Sequence, residues 1–135
     1  MLYPPDSSEV YMKRDMDLCR KVLQVIEKGN DRPCTIGVTD LGGDDAFDVT
    51  PEALNYHIKL LIQADLVNSS GTHVRGIPIV RGLTWKGHDF VESSRDQGLW
   101  EKAKQTVKEK TGGLTLELLS AVLASVAKKA LGIDG

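Results

Sequence analysis

Two adjoining stretches govern the architecture: TPEALNYHIKLLIQAD, residues 50–65, and LVNSSGTHVRGIPIVRGL, residues 66–83. The first opens with Thr50 as a helix cap and Pro51 at the first helical position, where its missing N–H is no loss. Leu54, Ile58, Leu61 and Ile62 then recur at helical spacing. A helix over 51–65 buries that stripe and leaves Glu52, Asn55, Tyr56, Lys59 and Gln63 on the opposite face. In the second stretch the pattern changes. Leu66-Val67-Asn68 begins a strand, Ser69-Ser70-Gly71-Thr72 reads as a turn or flexible tip, and Ile77 to Leu83 returns as a second strand.

On the N-terminal side, Asp15 is placed to cap a helix over 16–28, whose Met16, Cys19, Leu23 and Ile26, with Val22 beside them, repeat at three and four residues. Gly29-Asn30 signals its end and Pro33 forbids its continuation. A short β-prone piece, Cys34 to Val38, precedes an acidic, glycine-rich segment from Asp40 to Asp48. Residues 1–11 read as an irregular leader, and Met12 as a natural initiator for the first helix and the rest of the chain. Downstream, Thr84 caps a helix from Trp85 that carries Phe90 and Val91 inward and is interrupted at Gly98. Trp100, Ala103 and Val107 mark a further amphipathic stretch, Thr111-Gly112-Gly113 a hinge, and 115–131 a final helix. The fold class is therefore mainly α with a small β-hairpin. A helix followed at once by a hairpin that folds back on a helical core is the plan of a winged helix-turn-helix. The expected organisation is a core over 12–96 and a helical extension over 97–135, packed on the core or on a second protomer.

Composition narrows the function classes. The two cysteines, Cys19 and Cys34, form no C-x-x-C pair, so neither a zinc site nor a redox motif is expected. Cys19 falls in an apolar helical stripe and reads as a small buried hydrophobe. The longest apolar-rich stretch, Leu114 to Ile133, is interrupted by Glu117, Lys128 and Lys129, too often for a bilayer span. No signal-peptide pattern opens the sequence, and the expected location is cytoplasmic. The glycines at 42–43 and 112–113 match no phosphate loop or dinucleotide fingerprint, so no cofactor is expected. The three histidines, His57, His73 and His88, sit on three different elements, and catalysis has little support; His57 and His88 both read as packed residues.

Three segments carry a resemblance: MKRDMDL at 12–18, YHIKLLIQADLV at 56–67, and GLTWKGHDF at 82–90. Together they resemble a family of small uncharacterised proteins from bacteria and prophages, classed as a domain of unknown function, over residues 12–131. The middle segment is also similar to the recognition-helix region of winged-helix repressors, where a His-Leu-Lys-x-Leu run precedes the loop to the wing. Asp65 stands where those repressors commonly have glycine at the helix end. The first resemblance implies no activity; the second implies DNA binding by analogy of fold.

Duplex DNA is accordingly the expected partner, for a regulator in which helix 51–65 reads the major groove and the 68–82 hairpin holds the backbone. The candidate contacts are Thr50, Asn55, Tyr56, Lys59 and Gln63 on the helix, and His73, Arg75 and Arg81 on the hairpin. Asn55 suits adenine, Lys59 guanine or phosphate, and Tyr56 phosphate or a thymine methyl. Residues 68–88 hold Arg75, Arg81 and Lys86 and no acid, which suits phosphate. Against this, residues 40–52 hold Asp40, Asp44, Asp45, Asp48 and Glu52 and no base, and the net charge of -2 is not that of a typical nucleic-acid binder. The alternative is a winged helix used for protein–protein contact, with the acidic stretch docking onto a basic partner. In the last helix, Leu116, Leu119, Leu123, Val126 and Ala130 form a stripe expected to pair two protomers.

Overall fold

The computed structural model of the protein describes residues 13–29, 32–41 and 49–132. The leader 1–11, Met12, Asn30 and the acidic residues Asp44, Asp45 and Asp48 lie outside the described residues. The described elements are mainly helical, with one two-stranded antiparallel hairpin. They fall into two units, 1–84 and 85–135, so the helix that begins at Trp85 groups with the C-terminal helices and not with the core expected over 12–96.

In the first unit, α1 spans Met16–Gly29. Asp15 caps it as expected, its Oδ1 accepting from the N–H groups of Asp17 at 3.0 Å and Leu18 at 3.2 Å. The β-prone piece after it forms no full strand. Only Cys34 pairs, exchanging 3.0 and 2.8 Å hydrogen bonds with Val80, before a single 3-10 turn at Val38–Leu41. Helix α2, Pro51–Gln63, is capped by Thr50, whose hydroxyl oxygen accepts from Ala53 N at 3.1 Å. It ends two residues earlier than its apolar spacing suggests, because Asp65 turns into the left-handed region at φ 65° and directs the chain into the hairpin. The repressor-like position where glycine is common therefore keeps its left-handed backbone with an aspartate in place. Helix α1 packs on α2 and on the second strand of the hairpin. Met16, Leu18, Cys19, Val22, Leu23 and Ile26 of α1 are buried, as are Leu54, Ile58 and Leu61 of α2.

The hairpin pairs β1, Val67–Val74, with β2, Ile77–Leu83. Its turn is not at Ser69–Thr72. Val74 faces Ile77, so the connection is the two residues Arg75 and Gly76, both at positive φ (55° and 81°), as a two-residue turn matching strand twist requires. The Ser-Ser-Gly-Thr stretch is instead a bulge: Ser69 faces Val80 and His73 faces Pro78, so β1 spends two residues more than β2 over that interval. Its own hydroxyls satisfy the looped-out backbone. Ser69 Oγ accepts from Gly71 N at 3.1 Å, Ser70 Oγ accepts from Thr72 N at 3.2 Å, and the Ser70 and Thr72 hydroxyls meet at 2.6 Å. These residue types favour turns and bulges for the same reason, their short side chains replacing ladder bonds. At the base, the Thr84 hydroxyl donates to the Asp65 carbonyl at 2.6 Å and Thr84 N–H to the Leu66 carbonyl at 3.1 Å, fixing where β2 leaves.

The second unit holds α3 (Trp85–Ser93), α4 (Gln97–Thr111) and α5 (Leu116–Ala130). The break between α3 and α4 comes before Gly98, which sits in the first turn of α4. Buried Ser94 ends α3 by donating its hydroxyl to the Phe90 carbonyl at 2.7 Å, and Asp96 starts α4 by accepting from Leu99 N at 2.9 Å. Trp100 is fully buried and meets Phe90 edge-to-face with ring centroids 5.9 Å apart. Gly112 closes α4 in the left-handed conformation at φ 80°. Helix α5 packs on α4 and α3. Leu119 and Leu123 are 0% and 2% exposed, so these two belong to the core of the chain and not to a free dimerisation stripe. Leu116 and Val126 are half-buried, and the Ala130 side chain lies outside the described set.

Candidate nucleic-acid interface

The side chains expected to touch DNA fall into two patches. Lys59 and Gln63, four residues apart on α2, are exposed; Asn55, one turn before Lys59, is half-buried and extends the same row. Tyr56 is half-buried, its ring held edge-on to that of His57 with centroids 5.5 Å apart. Thr50 spends one acceptor site of its hydroxyl on the helix cap and keeps its O–H and a second lone pair for a ligand. The row therefore presents an amide, a phenol, an ammonium and a second amide, together the donors and acceptors that base edges and phosphates take.

His57 sets this helix in place. It is 2% exposed, and each ring nitrogen has a backbone partner: Nδ1 lies 2.7 Å from the Ala53 carbonyl and Nε2 accepts from Asp15 N–H at 2.8 Å. Those two bonds assign the neutral tautomer with the proton on Nδ1. The ring thus ties the start of α1 to the middle of α2, and the sequence reading of His57 as a packed residue holds. His88, by contrast, is exposed on α3 and not packed, because its helix turns Gly87, Phe90 and Val91 inward instead.

The second patch is the hairpin tip. Arg75 is the first residue of the turn and His73 sits one pair from its closing residues, both exposed, with Val74 between them 49% exposed. The tip is thus Arg75-Gly76, and Arg75 projects from the end of the hairpin instead of its return strand. Arg81 is exposed further down β2, at the step between the pairs Ser69–Val80 and Asn68–Gly82, a second local irregularity. Seven residues of β2 span about 20 Å, so the tip stands well away from the junction with α2. The two patches would meet a ligand of that length separately.

Charge distribution in the first unit matters more than its total. Residues 1–84 hold nine Lys and Arg against twelve Asp and Glu, yet six of the nine, Lys13, Arg14, Arg20, Lys21, Lys28 and Arg32, gather on α1 and its flanks. This basic contribution of α1 escapes a reading of the sequence because Asp15, Asp17 and Glu27 are interleaved with it; no local run announces it. Among the described residues no group of three or more His, Cys, Asp or Glu could hold a metal ion. Also among them, no helix is long and apolar enough to cross a membrane. Burial, reinforced by the Asp15 carboxylate, pushes the Cys19 thiol up to about 12, in keeping with a core position; Cys34 is exposed.

Comparison with known proteins agrees with a bacterial affiliation. An uncharacterized protein of Haemophilus influenzae (strain ATCC 51907 / DSM 11121 / KW20 / Rd) is 29% identical over 123 residues, which cover 89% of this chain and 99% of that protein. No solved structure matches the chain significantly. The DUF2513 family, described as a hypothetical protein, matches residues 13–113, from the lead-in to α1 through the end of α4. The chain belongs to the DUF2513 family.

Proposed function

We propose that the first unit is a winged helix-turn-helix that binds duplex DNA, and that the protein is a non-enzymatic transcriptional regulator of bacterial or prophage type acting in the cytoplasm. The observation that carries this reading is the Cys34–Val80 bridge. It joins the segment between α1 and α2 to the returning strand of the hairpin, and this tie of hairpin to helices supports a winged-helix reading, with the 3-10 turn at Val38–Leu41 in the place of the middle helix of a three-helix core. In this reading α2 enters the major groove with Asn55, Tyr56, Lys59 and Gln63, while Arg75, His73 and Arg81 hold phosphates along the hairpin. The hairpin supports it: residues 68–84 hold Arg75 and Arg81 and no acid. His57 has both ring nitrogens committed to backbone groups, which withdraws it from acid–base chemistry.

Titration of the full chain against mixed-sequence duplex tests the proposal. Affinity should fall as salt rises from about 50 to about 200 mM, and Arg75→Ala and Arg81→Ala should each lower the salt slope by about one. A second reading draws on the acidic run between Asp40 and Glu52, which borders α2 in sequence and suits docking onto a basic protein. Lack of DNA binding at about 50 mM salt, where the electrostatic contribution is strong, favours that reading instead.

A further inference from the structure

Two of the large apolar side chains left exposed among the described residues belong to the end of the chain: Leu118 at 36% and Leu131 at 74%. Both flank the outer face of α5, the side away from buried Leu119 and Leu123. Along that face Glu117, Ala121, Ala124 and Lys128 succeed one another at spacings of four, three and four residues, and all four are exposed. The stripe is acidic at one end, basic at the other and small in the middle, with its charged ends about 16 Å apart.

We propose that this face pairs with the same face of a second copy of the chain, antiparallel, about a two-fold axis passing between Ala121 and Ala124. In that arrangement Glu117 lies across from Lys128 of the second copy and Ala121 across from its Ala124. Leu131 reaches the start of the other helix, beside Leu114 and Leu118. A parallel pair sets Glu117 against Glu117 and Lys128 against Lys128, so the charge pattern selects the antiparallel one. The alanines let the helix axes approach to about 8 Å. This is a different face from the Leu116-Leu119-Leu123 stripe, which is spent on α4 and α3. It does not depend on what the first unit binds.

The contact is small. A 15-residue helix is about 22 Å long, and one helix face covers less than the roughly 800 Å² per partner of a stable complex, so the association is weak and needs a high protein concentration to be seen. Glu117 and Lys128 also lie in the first and last turns of α5, where each interacts favourably with the helix's own dipole. That intrachain role affects folding and leaves mass unchanged, so the two contributions separate cleanly. Sedimentation velocity of the full chain from about 10 µM to about 1 mM at low salt should show the mass rising toward that of a dimer. Glu117→Lys and Lys128→Glu should each weaken association about tenfold, through two lost pairs and two new repulsions. The double exchange Glu117→Lys/Lys128→Glu should return it to within about threefold of the wild type. Circular dichroism of each variant checks that α5 still forms. A chain that stays monomeric at about 1 mM overturns the proposal, as does a dimer indifferent to the single reversals or one that the double exchange does not restore.

Discussion

Replacing His57 by leucine tests how the candidate interface is held. The imidazole is 2% exposed and bonds the Ala53 carbonyl at 2.7 Å and Asp15 N–H at 2.8 Å. Leucine of similar bulk keeps the packing and removes both bonds. Each is worth about 1 kcal/mol net. The Ala53 carbonyl keeps its ordinary helical partner, but Asp15 N–H is left without its acceptor in a partly buried setting, costing about 1 kcal/mol more. The added apolar burial of leucine offsets about 1 kcal/mol of this, for a net loss of about 2 kcal/mol. In a chain of this length that lowers the melting temperature by about 6–8 °C. Urea unfolding followed by far-ultraviolet circular dichroism measures the loss, and amide exchange should show faster opening in the first turn of α1 than at Val22. A His57→Leu protein within about 0.5 kcal/mol of the wild type, with unchanged exchange at Asp15, would falsify the view that this ring ties α1 to α2.

Other residues give equally specific outcomes. Arg75 occupies left-handed backbone that glycine or asparagine adopts more readily, so Arg75→Asn should stabilise the protein by about 0.5–1 kcal/mol in urea titration while weakening any DNA binding; stabilisation without loss of affinity removes Arg75 from the interface. In native protein one thiol, Cys34, should react with a chromogenic disulfide reagent, and both only after denaturation; because burial raises the Cys19 pKa to about 12 from 9.0, its contribution to stability is present below about pH 9 and is lost as pH climbs through about 12. Trp85 is 85% exposed and Trp100 fully buried, so acrylamide should quench about half the tryptophan emission readily, and Trp85→Phe should abolish that accessible fraction; uniform quenching of both contradicts the packing of Trp100 against Phe90.

The helices are legible in the sequence because their signals are local. Asp15 and Thr50-Pro51 act on backbone groups within three residues, and the stripes of α1 and α2 repeat within a few turns. Features that escape depend on partners distant in sequence or on competition between similar local signals. Ser69–Thr72 and Arg75-Gly76 both carry turn chemistry; the choice between them is made by which register lets Val80 and Leu83 face the helices, and the longer polar run loses. The short β-prone piece becomes a single bridge because only Cys34 reaches Val80. Gly98 reads as an interruption on composition, whereas the break belongs to Ser94, whose hydroxyl competes for the Phe90 carbonyl. For the candidate site, the α2 row is readable from periodicity alone. The true hairpin tip and the role of His57 are not, since the first needs the strand register and the second a partner 42 residues away.

The proposed function stands or falls on α2 and the hairpin tip contacting duplex DNA together. Backbone amide spectra of ¹⁵N-labelled full-length protein, recorded with increasing short mixed-sequence duplex at low salt, address it directly. The expected shifts cluster at Asn55, Tyr56, Lys59 and Gln63 and again at His73 to Gly76, leaving the buried face of α2 unmoved. Shifts confined to α4 and α5, or none at saturating duplex, contradict it.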